Sequence, residues 1–395
     1  MGEPSIALVS QEFPPDSIGG IGSYTHYLAS LLSERKVPTT VYCGKARKIL
    51  KERFNDYLTV IRLPIFEMPL RAYWFQFLNY SLFRQSLQHF DVVHAVNPHS
   101  SAVCALVKQR LQPMVTTMHY VPVYKTKAFF NSPAREWTIR DFLSNFVEMS
   151  IGERLCALTF RESQKIVSVS QTVRRQARVA YGDILMNKVT VIPNGIPFAS
   201  IQRELLKCKT EDDEEFILNF GRLVTFKGIP LLFRAIALLR KRFPNIKLRV
   251  VGKGPLYPKL QIISHELGIG ENVKFYGYLR RQELMSTIKN CLFVVLPSYH
   301  EGAGIAALEA MACEKPVVAL NYPISREIIK DFETGLLALP GDEVDLARKI
   351  EMLIEDKDLR TKLGRAGRTH VYQNYNWDKL IDLYVALYRS LAEQL

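Results

Sequence analysis

Short apolar runs alternate along this chain with longer stretches in which apolar residues recur every three or four positions. That alternation predicts buried strands feeding amphipathic helices, an α/β chain with parallel sheets. In the first half the runs predict strands at Ile6–Ser10, Thr39–Tyr42, Asp91–Ala95, Met114–Met118, Lys165–Val169 and Val189–Ile192, with helices such as Ser23–Arg35 and Ser100–Arg110 between them. The pattern then restarts. Strands are predicted at Ile217–Phe220, Lys247–Val251, Val273–Tyr276, Leu292–Leu296 and Pro316–Ala319, and a helix at Pro230–Lys241. Pro230 suits a first helical turn, where its missing N–H costs nothing. The polar, acidic stretch Lys207–Glu215, with Glu211-Asp212-Asp213-Glu214-Glu215, has a linker's composition. A last amphipathic helix over Trp377–Leu395 aligns Leu380, Ile381, Leu383, Tyr384, Leu387 and Leu391 near one face. The expected organisation is therefore a doubly wound domain at 1–196, a linker at 197–215, a second doubly wound domain at 216–375, and a closing helix at 376–395 packed back on the first domain. Ligands of such sheets sit beyond the carboxyl ends of the strands, so a cleft shared by two facing units is the expected site.

Composition narrows the class. At 395 residues, with 48% hydrophobic and 23% charged positions, the chain is an ordinary globular protein of two or three domains. No run approaches the ~18 apolar residues of a membrane-spanning helix. The start, running straight into Ile6-Ala7-Leu8-Val9, has no signal-peptide pattern. Six cysteines are scattered without CxxC pairing, which fits a reducing, cytoplasmic compartment and no zinc site. The charge is less ordinary: 52 basic against 39 acidic residues, a net +13. Most of it, +9, lies in the first 200 residues. A nucleic acid, an anionic membrane or a phosphorylated substrate would each suit that balance. No nucleic-acid-binding module is visible, so specific nucleic-acid binding is not expected.

Four constellations carry chemistry. Pro297-Ser298-Tyr299-His300-Glu301-Gly302-Ala303-Gly304-Ile305 follows a predicted strand and opens a helix that carries Glu309. The glycines allow close backbone approach, and a helix start presents unpaired N–H groups to phosphate or sugar oxygens. Glu301 and Glu309, roughly 12 Å apart if helical, are too distant to act as paired acid and base on one bond. They suit separate hydroxyl pairs of one elongated ligand. Gly221-Arg222-Leu223-Val224-Thr225-Phe226-Lys227-Gly228 places a planar fork and a point charge beyond another strand, a suitable pair for a diphosphate. Ser10 to Gly22 holds a glycine-rich strand-to-helix loop, although not a dinucleotide fingerprint. His119 closes the strand Met114–Met118; His94, within a strand, reads as structural. Asp356-Lys357-Asp358 is formally an acidic pair but reads as solvated surface.

The Glu301-x7-Glu309 spacing, followed by Met311-Ala312-Cys313 and Lys315-Pro316-Val317-Val318, resembles the signature of the retaining glycosyltransferases of family 4, which have the GT-B fold of two facing Rossmann-like domains. The resemblance is specific over 217–340 and diffuse over 45–90 and 120–160. It departs from the family pattern at Ala303, where phenylalanine is usual, and at Glu314, where glycine is usual. It implies that Glu301 meets the transferred sugar, Glu309 the nucleotide ribose, and the Ala303, Gly304 and Ile305 backbone the sugar and phosphate. It further implies that Arg222 and Lys227 grip the diphosphate, that Gly20 approaches it from the first domain, that Leu279 meets the base through its backbone, and that His119 lies near the reacting sugar. Glu301, His119, Arg222 and Lys227 are thus the expected catalytic set. No cofactor and no metal are expected; the donor would be a UDP-, GDP- or ADP-sugar. The acceptor would belong to the first domain. There Trp74, Phe75, Phe77, Tyr80, Phe83 and Phe90 with Arg71 and Arg84, and Tyr120–Lys127 with Phe129, Phe130, Arg135 and Trp137, combine aromatics and cations. Such mixtures suit a core or an anionic membrane face carrying a lipid or glycan acceptor. A sugar-nucleotide epimerase or hydrolase of the same fold, and a non-catalytic sugar-nucleotide-binding subunit, are the alternatives.

Overall fold

A computed structural model describes residues 2–15, 19–46, 48–65, 71–208 and 214–394. It divides into two units. The first comprises residues 1–124, 144–194 and 377–395, and the second 125–143 and 195–376. Each is a parallel sheet flanked by helices, so the α/β, doubly wound expectation holds for both.

In the first unit the strands are β1 (Ile6–Val9), β2 (Thr39–Ala46), β3 (Leu50–Arg53), β4 (Leu58–Pro64), β5 (Val92–Ala95), β6 (Met114–Met118), β7 (Lys165–Ser168) and β8 (Val189–Val191). They pair in the order β3-β4-β2-β1-β5-β6-β7-β8, all parallel except β3, which runs antiparallel to β4. β3 and β4 were not expected. β3 is an exposed edge of Leu50-Lys51-Glu52-Arg53, and β4 ends in proline, so neither shows the apolar run that marks the buried central strands.

The second unit adds β9 (Ile217–Phe220), β10 (Leu248–Val251), β11 (Val273–Gly277), β12 (Val294–Leu296), β13 (Val317–Leu320) and β14 (Leu336–Ala338), ordered β11-β10-β9-β12-β13-β14 and wholly parallel. β9, at the centre, pairs with both β10 and β12. The chain reverses direction across the sheet at β9, and the loops leaving β9 and β12 therefore open side by side at the carboxyl end. These two loops carry the Arg222–Lys227 and Glu301 motifs.

Two assignments change. The stretch 197–215 contains the helix Phe198–Lys207, whose Phe198 and Ile201 are buried in the second unit's core with Cys208. Its 3.6-residue apolar spacing was masked by the acidic run that follows, most of which lies outside the described residues. Residues 125–143 belong with the second unit rather than the first, for reasons given below.

The helix Trp377–Ala392 joins the first unit, packing beside the helix Gly20–Glu34. Leu380, Ile381, Tyr384 and Leu391 are buried, but Leu383 is half exposed, and Val385 and Tyr388 take the remaining inward positions. Its tyrosines enter a buried polar network. The Tyr24 hydroxyl donates to Tyr384 Oη at 2.8 Å and lies 2.8 Å from Thr117 Oγ1. His94 Nδ1 is 2.6 Å from the Tyr388 hydroxyl, and its Nε2 is 2.7 Å from Thr117 Oγ1. Both ring nitrogens of His94 are thereby satisfied. Burial pushes its pKa down to about 3, with the nearby His119 adding to the effect, so the ring is neutral. The six cysteines are buried and none is in a disulfide.

Tyr388→Phe would keep the packing and leave His94 Nδ1 buried without its partner. The expected cost is about 1–3 kcal/mol, read as a lower urea midpoint with an unchanged slope. An unchanged midpoint would show that this hydrogen bond contributes nothing net.

Candidate functional site

The loop after β9 is shaped by close backbone packing. Gly228 lies at φ 64°, and a Cβ there would fall 2.0 Å from the Pro297 carbonyl oxygen. A side chain at 228 would therefore push apart the loops that follow β9 and β12. Tyr299 N–H donates to the Phe226 carbonyl at 2.8 Å across the same seam. The two motifs, far apart in sequence, meet backbone to backbone.

Their side chains then converge. Lys227 Nζ pairs with Glu301 Oε1, and Ser298 Oγ donates to the same oxygen at 2.9 Å. The Glu301 side chain is 25% exposed and that of Lys227 19%. Burial alone would raise the Glu301 pKa. The Lys227 charge and the hydrogen bonds from Lys227 and Ser298 outweigh it, so the pKa lies below the usual glutamate value and the group is ionised. Arg222 is exposed, with its guanidinium carbon 5.8 Å from the centroid of the Phe226 ring; Lys227 Nζ lies 5.9 Å from the same centroid. Among the described residues Arg222 has no carboxylate partner, so its fork is available to an anion.

Gly304 caps the helix Ile305–Ala312 at φ 57°, and a Cβ there would strike Ile328 at 2.4 Å. The Ala303–Ile305 backbone is thus held at the helix start, beside Glu301 in sequence. Glu309, on that helix, pairs with Arg281, whose Nε also donates to Glu204 at 2.9 Å. The Glu309 side chain is 12% exposed. Its second carboxylate oxygen has no partner among the described residues, which leaves an acceptor for a hydroxyl. Leu279 is half-buried against the apolar cluster behind this helix.

The structure therefore brings Arg222, Lys227 and Glu301 into one site of the second unit, with the Gly304 turn on the Glu301 loop. Glu309 is tethered separately by Arg281. Gly20 and His119 belong to the first unit. Gly20 is the exposed first residue of the helix Gly20–Glu34; residues 16–18 of its loop lie outside the described residues. His119 is 6% exposed, edge-on to Tyr24 at 4.7 Å between ring centroids. Burial pushes its pKa down to about 3 against a hydrogen bond to the Val96 backbone. Its Nε2 has no partner among the described residues, so this neutral imidazole retains one unused polar atom. Asp356 is a helix cap, accepting from Leu359 N–H at 2.7 Å. Among the described residues no cluster of three or more His, Cys, Asp or Glu could hold a metal.

Sequence reasoning missed Ser298 and Arg281. Ser298 stood inside the quoted motif without a role. Arg281 had no signal, because its partners Glu204 and Glu309 are remote in the chain.

Two family models divide the chain. Residues 18–199 match "Glycosyltransferase Family 4" and residues 202–370 match "Glycosyl transferases group 1". The chain belongs to glycosyltransferase family 4. An uncharacterized glycosyltransferase of Methanocaldococcus jannaschii is 26% identical over 404 residues, covering 99% of each chain. Among solved structures, sucrose-phosphate synthase from Thermosynechococcus elongatus superposes with a TM-score of 0.79 at 22% identity, covering 99% of this chain and 100% of that one. The Anabaena protein HepE, solved with UDP and glucose, gives 0.73 at 19% identity, covering 98% of this chain and 100% of that one. These structural likenesses establish the GT-B fold. The two units are its two Rossmann-like halves, and the protein is a glycosyltransferase.

The Lys227–Glu301 pair makes a prediction about charge. In Lys227→Met the Glu301 carboxyl keeps most of its burial and loses its main compensating charge. Its pKa should rise above the ordinary glutamate value, so protonation on acidification begins at higher pH than in the wild type. Carboxyl-carbon NMR titration of Glu301 would show this; a pKa that stays low would mean that Lys227 does not set it.

Proposed function

We propose that this glycosyltransferase moves a hexose from a nucleoside-diphosphate sugar to an acceptor hydroxyl with retention of anomeric configuration and without a required metal. The observation that carries this reading is the convergence of Arg222, Lys227 and Glu301 on adjoining loops at the carboxyl end of one sheet. Arg222 and Lys227 offer two cations to a diphosphate, the charge-neutralising work a metal would otherwise supply. Glu301, ionised and held by Ser298, accepts from sugar hydroxyls. Glu309 offers its open oxygen to the ribose. HepE was solved with UDP and glucose, which supports a donor of this chemical class.

In the proposed reaction the bond from the anomeric carbon to the donor phosphate oxygen breaks as the acceptor oxygen bonds to the same face of that carbon. The acceptor proton passes to the departing phosphate oxygen, and no protein nucleophile takes part. Arg222 and Lys227 stabilise the charge that develops on the leaving diphosphate, and Glu301 stabilises the oxocarbenium-like sugar. Lys227 would then exchange some of its interaction with Glu301 for the diphosphate as donor binds. His119, neutral and with one nitrogen unused, is the first unit's proposed contact to the sugar.

A thermal-shift screen against UDP-, GDP- and ADP-sugars identifies the donor, followed by product analysis with and without acceptor. Glu301→Ala should lower transfer by at least about a hundredfold while the melting transition is preserved, and wild-type turnover should persist in chelator. Unchanged turnover in the folded variant removes Glu301 from the site; donor conversion without acceptor indicates an epimerase or hydrolase.

The acceptor reading rests on an apolar surface of the first unit. Phe75 and Phe83 are core residues, but Trp74, Phe77 and Tyr80 are exposed, Phe77 at 75%. The Tyr73 hydroxyl lies against Gly152, which brings the helix Arg71–Leu78 to the turn Glu148–Gly152. Phe146, Met149 and Ile151, in and beside that turn, are exposed as well. No helix among the described residues is long and apolar enough to cross a membrane. Exposed aromatics on a unit with excess positive charge suit the face of an anionic bilayer presenting a lipid-linked acceptor. Arg84 is exposed nearby in sequence; the Arg71 and Arg135 side chains lie outside the described residues. Trp74→Ser with Phe77→Ser should weaken sedimentation with phosphatidylglycerol vesicles by at least about tenfold, given roughly 1.5–3 kcal/mol for burying one large apolar side chain. Equal sedimentation of variant and wild type would leave these residues as ordinary surface.

A further inference from the structure

Residues 125–143 come from the N-terminal half of the sequence but pack with the second unit. The segment is internally braced: Trp137 stacks on Phe129 with ring centroids 4.8 Å apart, and its indole N–H donates to Ser132 Oγ at 3.0 Å. Phe129 is fully buried. At its centre is a short turn, Ala134–Glu136, that delivers Glu136 to the interior at 1% exposure.

A carboxylate this deeply buried needs partners, and those it finds are informative. Arg234, on the helix Ile229–Leu239 that follows the β9 loop, donates from Nη1 to Glu136 Oε1 at 3.1 Å. The Tyr299 hydroxyl, on the β12 loop two residues before Glu301, lies 3.5 Å from Glu136 Oε2. Thr225 Oγ1, on the β9 loop two residues before Lys227, donates to the Glu136 carbonyl at 3.2 Å. Lys259 Nζ donates to the next carbonyl, that of Trp137, at 3.3 Å. One residue from a distant part of the chain thus touches both site loops and the helix behind one of them.

Neither the apolar core nor the Lys227–Glu301 pair requires such a contact. A buried ion pair is also a poor way to gain stability, since its desolvation offsets much of its attraction. What the arrangement provides is a fixed relation between Thr225 and Tyr299, and through them between Lys227 and Glu301. We propose that Glu136 is a positioning residue: a strap contributed by residues 125–143 locks the two donor-binding loops in register from behind, through Arg234, Tyr299 and Thr225. This inference rests on the proposed donor site. It adds that the site is completed by a residue, Glu136, lying seventeen positions beyond His119 in the sequence. A change in the first half of the chain would then alter donor handling in the second.

The test compares Glu136→Gln, Arg234→Met and their double variant. Hydrogen exchange of the unliganded protein reads loop register directly. In Glu136→Gln the amides of Tyr299 and Lys227, both hydrogen-bonded within these loops, should exchange about tenfold faster, the equivalent of one lost hydrogen bond, while the amides of β9 and β12 do not change. Affinity for UDP, GDP or ADP, whichever the wild type binds, should fall by a similar factor. In the double variant, which leaves no unpaired buried charge, the melting temperature should recover but loop protection and affinity should not. Unchanged exchange in Glu136→Gln overturns the proposal. So does recovery of protection and affinity in the double variant, because Glu136 would then serve only to neutralise Arg234. If the wild type binds none of the three nucleotides, the donor reading falls, and exchange still decides whether the strap sets the loops.

Discussion

The pairing of Lys227 with Glu301 is the interaction around which the candidate site of this protein is built. Glu301 is partly withdrawn from water, which by itself would raise its pKa; the Lys227 charge, with Ser298 donating to the same carboxylate oxygen, outweighs that and keeps it ionised. Such a pair adds little to stability, because desolvation cancels much of the attraction. Its value is electrostatic: a cation and an anion are held together at the candidate site, where the proposed reaction would separate charge. Three features of the second unit bring the two loops together. The central placement of β9 opens its loop beside that of β12, Gly228 removes the side chain that would part them, and the Tyr299–Phe226 hydrogen bond closes the seam.

The same unit contains a second, separate polar arrangement in Arg281, which bridges Glu204 and Glu309. Glu204 sits on the helix Phe198–Lys207, in a stretch that looks like a linker by composition. The helix is instead part of the second unit, and through Arg281 it is tied to a carboxylate on the helix Ile305–Ala312. The departure from the family pattern at Glu314 is separate from this bridge. Glu314, at φ 58°, occupies a left-handed position where glycine would be relaxed, and it pairs with Arg368 at 3.2 Å, away from the Glu301 loop.

The first unit solves a different problem. Its core contains a histidine and three tyrosines from three separate elements, and burying them is tolerable only because almost every polar atom finds a partner. His94 is fully satisfied and therefore structural. His119, on the neighbouring strand's end, is as deeply buried and has an Nε2 left over. That contrast, more than the identity of the residue, separates the histidine whose polar atoms are all used by the fold from the one with a polar atom to spare.

Much of this protein was legible in its sequence. The buried central strands declare themselves as apolar runs, because a parallel strand covered on both faces must be apolar throughout; β3, at the edge, and β4 beside it do not. Arg222, Lys227, Glu301 and Glu309 stand out because glycines and strand ends frame them locally. The sequence by itself thus determined the two-unit α/β class and the residues that carry charge to the site. Only the tertiary structure decided which charge faces which: that Lys227 answers Glu301, Arg281 answers Glu309, and residues 125–143 leave the half of the chain that encodes them to bury Glu136 against Arg234. Helical and strand periods are local properties, written in neighbouring residues. Ion pairs between remote segments depend on how the chain returns through space, and no spacing along the sequence records that.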